Sequence, residues 1–313
     1  MKVLAVDLGG SHVSCAIVED RTVIAHDSIC TDAQSLRALL PSITLMLHRL
    51  LLDANVDANS LAGLGLGYCG IVDGRRGEVL STLNKYPDIG EIDLAAWSQD
   101  QFGAPLKLES DVGLALLGER WAGAAQGFDD VVMITLGTGI GGAAMLGGDL
   151  LRSEMGQAGC IGGHLPVNYQ GRLCACGAIG CAEAEASTSV LPTICREWPR
   201  FESSLLAKKE VLDFVSVFSA KDAGDSVAIQ IVEHCISVWA SLTVGLIHAY
   251  GPQLVLFGGG VMGRSEEILN PIQHYVAKHI WRTTRGIPAI QKAILGSHAA
   301  FLGAEALFIK TDR

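Results

Sequence analysis

The sequence predicts an α/β protein that is internally duplicated. Three observations carry that reading. Short runs of aliphatic and β-branched residues ending in glycines alternate with stretches of helical pattern. Two of these runs share a strand, glycine turn, strand design: Lys2 to Asp7, Leu8-Gly9-Gly10-Ser11 and Val13 to Val18, then Val131 to Leu136, Gly137-Thr138-Gly139-Ile140-Gly141-Gly142 and Ala143 to Leu146. One stands near the start of each half, which suggests a duplicated fold with a phosphate held between two glycine tips. A chain of 313 residues is long enough for two domains of ordinary size.

Within the first hairpin, Asp7 ends a strand beside Gly9, Gly10 and Ser11. Backbone N–H groups and a hydroxyl there suit phosphate oxygens, with Asp7 placed to hold Mg2+ directly or through water; a turn alone would use the same glycines. Rossmann and Walker loops open a helix, and this one opens a second strand, so neither motif is present. Residues 35–53 carry a helical apolar stripe in which Pro41 should kink the helix or begin a second segment. A glycine-interrupted strand, Leu61 to Gly67, leads into Tyr68-Cys69-Gly70 and a further strand. In Ser81-Thr82-Leu83-Asn84, Asn84 could bond a polyol or serve the turn. Leu106 to Ser110 is a strand, Asp111 follows it, and Val112 to Trp121 is a helix. Asp111 is either a general base at a strand's carboxyl end or the cap of that helix.

After the second hairpin comes Cys174-Ala-Cys176-Gly-Ala-Ile-Gly-Cys181, with His164 ten residues upstream. Three thiols and an imidazole make a closed tetrahedral shell for a structural zinc ion, and the competing reading is a cluster of reduced buried thiols. Residues 187–221 read as peripheral helices, 225–250 as a long buried helix, and 252–257 as a strand ending in Gly258-Gly259-Gly260, which permits close approach of a nucleotide. A strand near Ile290 to Leu295 and a helix from His298 to about Ile309 finish the chain.

A net charge of −10, a pI near 5.3 and the lack of any Lys/Arg run argue against nucleic-acid and membrane partners and for a soluble protein handling small ligands. Asp7 interrupts what would be the apolar core of a signal peptide, and nine cysteines with no such signal fit a reducing, cytoplasmic setting. The greasy run Ile236 to Tyr250 contains Ser, Thr, Gly and His248, and reads as too short and too polar to span a bilayer.

With these pieces placed, the chain resembles the ROK family (repressor, open reading frame, kinase) over nearly its whole length. The matching stretches are Asp7 to Ser11, Asp111 with Gly118-Glu119, Leu136 to Gly142, Ala158-Gly159 to His164, Cys174 to Glu183 and Leu256 to Val261. The resemblance implies an actin/hexokinase-like ATPase fold, two ribonuclease H-like domains around a cleft. Its divisions would be 1–120, 121–297 with the zinc loop, and a terminal helix, 298–313, packing back on the first domain. It further implies ATP-dependent phosphorylation of a hexose or hexose derivative at O6. Asp111 would be the general base, the Asp7 to Ser11 and Gly137-Thr138-Gly139 loops would hold phosphates and Mg2+, and Gly259 and Gly260 would flank adenosine. Zinc would sit on His164, Cys174, Cys176 and Cys181. Sugar contacts would come from Gly70, Asn84, Ser110, Asp111, His164 and Glu183, and a homodimer is expected.

Departures from the family pattern are concentrated on the sugar side. Ser110 stands where the family has Asn, Cys160 where it has a glutamate with one residue inserted before His164, and Tyr68-Cys69-Gly70 where an aliphatic residue, Pro and Gly are common. Loss of a charged acceptor should weaken ordinary glucose binding roughly ten- to a hundredfold. Glu154, six residues before Cys160, is a possible substitute. A sugar-sensing, weakly catalytic or non-catalytic protein is the alternative, since the family includes repressors; the retained Asp111 and the lack of a helix-turn-helix ahead of the first strand favour the kinase.

Overall fold

The computed structural model describes residues 1–309, so residues 310–313 of the expected terminal helix lie outside the described residues. Contacts divide the chain into two compact units. One holds residues 1–128, 143–160 and 293–309, and the other 129–142 and 161–292.

The first unit contains β1 (Lys2–Leu8), β2 (His12–Glu19), β3 (Thr22–Cys30), α1 (Leu36–Asp53), β4 (Leu61–Tyr68), β5 (Ile71–Asp73), β6 (Glu78–Ser81), α2 (Leu94–Phe102), β7 (Leu106–Ser110) and α3 (Asp111–Ala122). Its sheet runs β3-β2-β1-β4-β7, antiparallel across the first hairpin and β3, then parallel from β1 through β4 to β7. One face is covered by α1, whose Ile43, Leu47 and Leu50 are buried with Leu4, Val6 and Leu64 of the strands. Against the other face lies α9 (Ala299–Ala306), packed on α3 and β1. Small residues set that spacing. A Cβ on Gly118 would fall 2.0 Å from the Ala299 carbonyl oxygen, and one on Gly303 would fall 1.9 Å from that of Leu114. The helices therefore cross at backbone contact. Glu119, wholly buried in α3, accepts from the Leu295 and Ala124 N–H groups at 2.8 and 2.7 Å and ties the start of the terminal segment to α3.

Following in chain order are β8 (Val131–Leu136), β9 (Ile140–Leu146), β10 (Asp149–Leu150), α4 (Ala182–Ala186), α5 (Leu191–Glu197), α6 (Phe214–Asp222), α7 (Ser226–Tyr250), β11 (Leu254–Gly258), α8 (Ser265–His279) and β12 (Ala289–Lys292). The second sheet runs β10-β9-β8-β11-β12, with β8, β11 and β12 parallel. Hairpin first, then parallel strands: the order repeats that of the first sheet. Asp225 caps α7 by accepting from the Val227 and Ala228 N–H groups, and Gly251, at φ 59°, ends it in a left-handed turn.

Three expectations need correction. Pro41 does not begin a second segment: α1 runs on through it, and the carbonyl it leaves unpaired belongs to the exposed turn of Arg37, where water can reach it. The greasy segment is a 25-residue helix, long and apolar enough to cross a membrane; its apolar face is instead spent inside the second unit, where Trp239, Leu242 and Leu246 are buried. Finally, β3, β6, β10, α2, α4 and α8 form in stretches whose local pattern pointed to no element.

Candidate functional site

Parallel register assembles the first unit's polar residues. Asp7 pairs with Gly67 across β1 and β4, and Tyr68 pairs with Ser110 across β4 and β7. The carboxyl ends of three neighbouring strands thus carry Asp7, Gly67-Tyr68 and Ser110-Asp111, where open α/β sheets bind ligands. Gly67 keeps the space between them clear, since a Cβ there would lie 3.2 Å from Asp7 Oδ1.

Asp111 is the first residue of α3 and is not its cap. Ser110 caps the helix, its Oγ accepting the Gly113 N–H at 3.1 Å, and it also bonds Glu109 Oε1 at 3.3 Å. Asp111 is thereby released from local duty apart from a 2.7 Å bond from the Val112 N–H. Burial pushes its pKa up, countered by that N–H and by the positive charge of Lys85. Burial, with the charge of Asp111, pushes Asp7 up to about 7. Asp7 Oδ1 is shut off from solvent and has no hydrogen-bond partner among the described residues. A buried carboxylate oxygen without a donor is the kind of ligand atom that a hard cation takes.

The loop carrying Asn84 is held at this site by two phenols. Tyr68 Oη donates to the Lys85 carbonyl at 2.7 Å, and Tyr86 Oη donates to the Gly9 carbonyl at 2.8 Å. Leu83, Asn84 and Tyr86 all adopt positive φ, at 48°, 63° and 48°. Such strain persists where surrounding bonds over-determine the backbone, and here it aims Asn84 and Lys85. Lys85 reaches over Gly10, where a Cβ would lie 3.0 Å from its Cε. Sequence reasoning missed Lys85, although it directly follows Asn84. At Gly70 a Cβ would fall 2.4 Å from the Ser81 carbonyl oxygen, so only glycine fits between the two loops. Ser11 Oγ bonds His12 Nδ1 at 3.1 Å at the exposed hairpin tip.

Where the family has its glutamate, the Cys160 thiol donates to the Gly156 carbonyl at 2.9 Å. Burial, with the charges of Glu109 and Asp111, pushes it up to about 11, so it is a neutral donor and no substitute for a carboxylate. Glu154 does not take over: it pairs with Arg76 at 3.3 Å and is 83% exposed. Arg152, unnoticed in the sequence, donates from Nε to buried Glu109 at 3.0 Å and lines a small cavity with Ser110 and Cys160.

On the second unit, β8 and β11 run parallel with Gly258 beside Thr135, so Gly258-Gly259-Gly260 and the 137–139 turn leave the same sheet edge. Gly259, at φ 91°, lies against the end of β8, and a Cβ there would fall 2.2 Å from the Leu136 carbonyl oxygen. Gly137 N–H closes the second hairpin on the Gly139 carbonyl at 3.0 Å, leaving Thr138 exposed at the tip, and Gly260 has open space beside it.

His164, Cys174, Cys176 and Cys181 come together, their ligand atoms all within 4.8 Å of one another. Cys174 Sγ lies 3.4 Å from His164 Nδ1, and the Cys176 and Cys181 sulfurs are 3.6 Å apart. Tetrahedral zinc with metal–sulfur bonds of about 2.3 Å puts sulfurs about 3.8 Å apart, so the cluster is compatible with a four-coordinate structural zinc site. Gly177 and Gly180, at φ 90° and 71°, make the turns that fold the ligands inward. Glu183 Oε2 accepts the Ile140 N–H at 2.9 Å, and its Oε1 lies 3.8 Å from His164 Nε2.

Comparison with known proteins gives the family. The ROK family profile matches residues 3–311. A glucokinase of Thermotoga maritima is 30% identical, covering 98% of this chain and 97% of that protein. A solved ROK glucokinase from Streptomyces griseus, in complex with glucose and AMPPNP, is 27% identical with a TM-score of 0.81, covering 98% of this chain and 99% of that one. A putative xylose repressor of Caldicellulosiruptor sp. is 24% identical over 87% of this chain and 68% of that protein. With its duplicated sheets, its paired aspartates at strand ends and a Cys3His loop behind the second hairpin, the chain belongs to the ROK family and has that family's actin/hexokinase-like ATPase fold.

Proposed function

We propose that this protein is an ATP-dependent sugar kinase that phosphorylates a hexose or hexose derivative at O6, with Asp111 as general base. The observation that carries this reading is the release of Asp111 from helix capping by Ser110, beside an Asp7 whose buried oxygen has no partner.

Phosphoryl transfer asks a protein mainly for positioning and for neutralisation of charge. Asp111 takes the proton of the attacking hydroxyl as that oxygen bonds to the γ-phosphorus and the bond from that phosphorus to the bridging oxygen breaks, ADP leaving with the electron pair; its raised pKa makes it a stronger base than an ordinary carboxylate. The positive charge of Lys85 opposes that rise and favours the ionised carboxylate. The Gly9 to Ser11 and Gly137 to Gly139 turns offer N–H groups and hydroxyls to phosphate oxygens, and Gly259 and Gly260 leave room for adenosine. Asp7 would hold Mg2+, which would supply neutralisation of charge on the transferred phosphate. Zinc on His164, Cys174, Cys176 and Cys181 would hold the loop that carries Glu183 and has no open coordination position. Gly70, Asn84, His164 and Glu183 would contact the sugar. Ser110 has little to offer it, since its hydroxyl is engaged with Gly113 and Glu109.

The test is ATP consumption with Mg2+ across hexoses, hexosamines and N-acetylhexosamines. One sugar should stimulate turnover, and Asp111→Asn should lower kcat by about 10²- to 10⁴-fold. If sugars bind without stimulating turnover, the sensing function takes its place, a reading that Cys160 in place of the family's carboxylate favours.

A further inference from the structure

The Cys3His loop and the second glycine hairpin are joined by three separate contacts, all inside the second unit. Glu183, two residues beyond Cys181, accepts the Ile140 N–H at 2.9 Å. The turn that carries His164 lies directly on the strand leaving the hairpin: a Cβ on Gly163 would fall 1.8 Å from the Ile140 carbonyl oxygen, and one on Gly142 would fall 2.9 Å from Gly162 Cα. Just past α4, the Thr188 and Ser189 N–H groups donate to the Gly137 and Thr138 carbonyls at 3.0 and 3.1 Å. Rigid anchors hold α4 in turn, since Trp239 Nε1 of α7 donates to the Ala186 carbonyl at 3.1 Å and His234 Nε2 bonds that of Glu185 at 3.1 Å.

Gly139 fits this arrangement. Its φ is not among the positive ones, so an alanine would suffer no backbone strain there, yet a Cβ would fall 2.4 Å from Glu183 Oε2. What excludes a side chain at the hairpin tip is the carboxylate itself.

We infer that Glu183 is a positioning residue for nucleotide: it transmits the order of the metal loop to the 137–142 hairpin, so that losing either the carboxylate or the metal weakens nucleotide binding as well as sugar binding. The inference rests on the kinase reading, in which that hairpin holds phosphates. Two N–H groups of a short turn can meet phosphate oxygens only if the backbone is fixed beforehand, and the Ile140 N–H is the first donor past the tip. Glu183 consumes that donor and thereby sets the direction of the turn. Its other oxygen, 3.8 Å from His164 Nε2, stands on the metal-loop side, where outer carboxylates commonly orient a ligating imidazole.

The experiment measures binding of AMPPNP with Mg2+ by calorimetry in the absence of sugar, in the full chain. Glu183→Ala should weaken the analogue about tenfold while retaining bound metal, and Glu183→Gln, whose amide oxygen can still accept from Ile140, should stay within about twofold of wild type. Removing the metal with a chelator should weaken the analogue about tenfold in wild type and little further in Glu183→Ala. Coupling is reciprocal, so the analogue should slow metal loss to the chelator in wild type and not in Glu183→Ala. Gly139→Ala should cost less in the Glu183→Ala background than alone, since the clash is gone. If both Glu183 variants bind the analogue as wild type does and lose only sugar, Glu183 is a sugar contact and the inference is overturned. If wild type itself does not bind the analogue, the kinase reading falls and this inference with it.

Discussion

At the scale of single residues, charge around Asp111 decides how the site titrates. Lys85 pulls the Asp111 pKa down against burial, so Lys85→Met should let it rise further. A general base works only when ionised; the acid limb of kcat/KM against pH should therefore move to higher pH in this variant, and a limb that stays put would place Lys85 outside the proton step. Cys160 supplies the opposite kind of test. Its thiol donates to Gly156 and carries no charge, so Cys160→Ser should leave KM for glucose within about twofold. Cys160→Glu returns a charged acceptor, and KM for glucose should fall about tenfold, measured at saturating ATP. Both Lys85 and the Arg152–Glu109 pair escaped sequence reasoning for one reason. A lysine after an asparagine in a loop, or an arginine 43 residues from its partner, has no local pattern, and its role exists only after the strands are in register.

At the scale of elements, the joint between β7 and α3 is the one on which the chemistry depends. Ser110→Ala removes the cap and should cost about 1 kcal/mol in chemical denaturation, whereas Ser110→Asn, which can still cap, should cost much less. If alanine is harmless, another group satisfies the helix start. The sequence left Asp111 open between cap and base, because Ser and Asp both cap well and only backbone geometry shows which of two neighbours does. Other elements were legible to the degree that their signals were local. Both hairpins are announced by glycine tips between apolar runs, α7 by an Asp cap and a terminal Gly, and the Cys3His loop by its spacing. By contrast β3 has polar residues such as His26, Asp27 and Ser28 inside it and no wholly buried face, so its alternation is weak. The amphipathic α8 holds Pro271 in its middle, which obscures it. Pro41 misled in the other direction, because a missing N–H costs little where the freed carbonyl meets water.

At the scale of the whole molecule, the duplicated sheets repeat one design, a hairpin leading into parallel strands, and in the first that design puts Asp7 and Asp111 at strand ends on either side of β4. Two carboxylates gathered in a partly buried site work against folding unless something offsets their charge. Asp7 is pushed up to about 7 in the folded state from an ordinary value of 3.8. The folded protein therefore holds this proton more tightly than the unfolded chain does. Its contribution to stability is fully present below pH 4 and is lost as pH rises through about 7, where both states ionise and the folded one keeps the desolvated charge. Asp88, Asp222, Asp225 and Glu267 are held below the ordinary carboxylate range and act in the reverse sense in acid, so the contribution is isolated by comparison with Asp7→Asn, which has no such titration. Between pH 5 and 8 the thermal midpoint of wild type should fall relative to that of Asp7→Asn. Mg2+ with AMPPNP should remove most of the difference by giving the ionised carboxylate a partner and by binding only the folded state. A constant gap between the two midpoints across that range, with or without ligand, would mean that Asp7 is ionised throughout and that its orphaned oxygen is not where the cation binds.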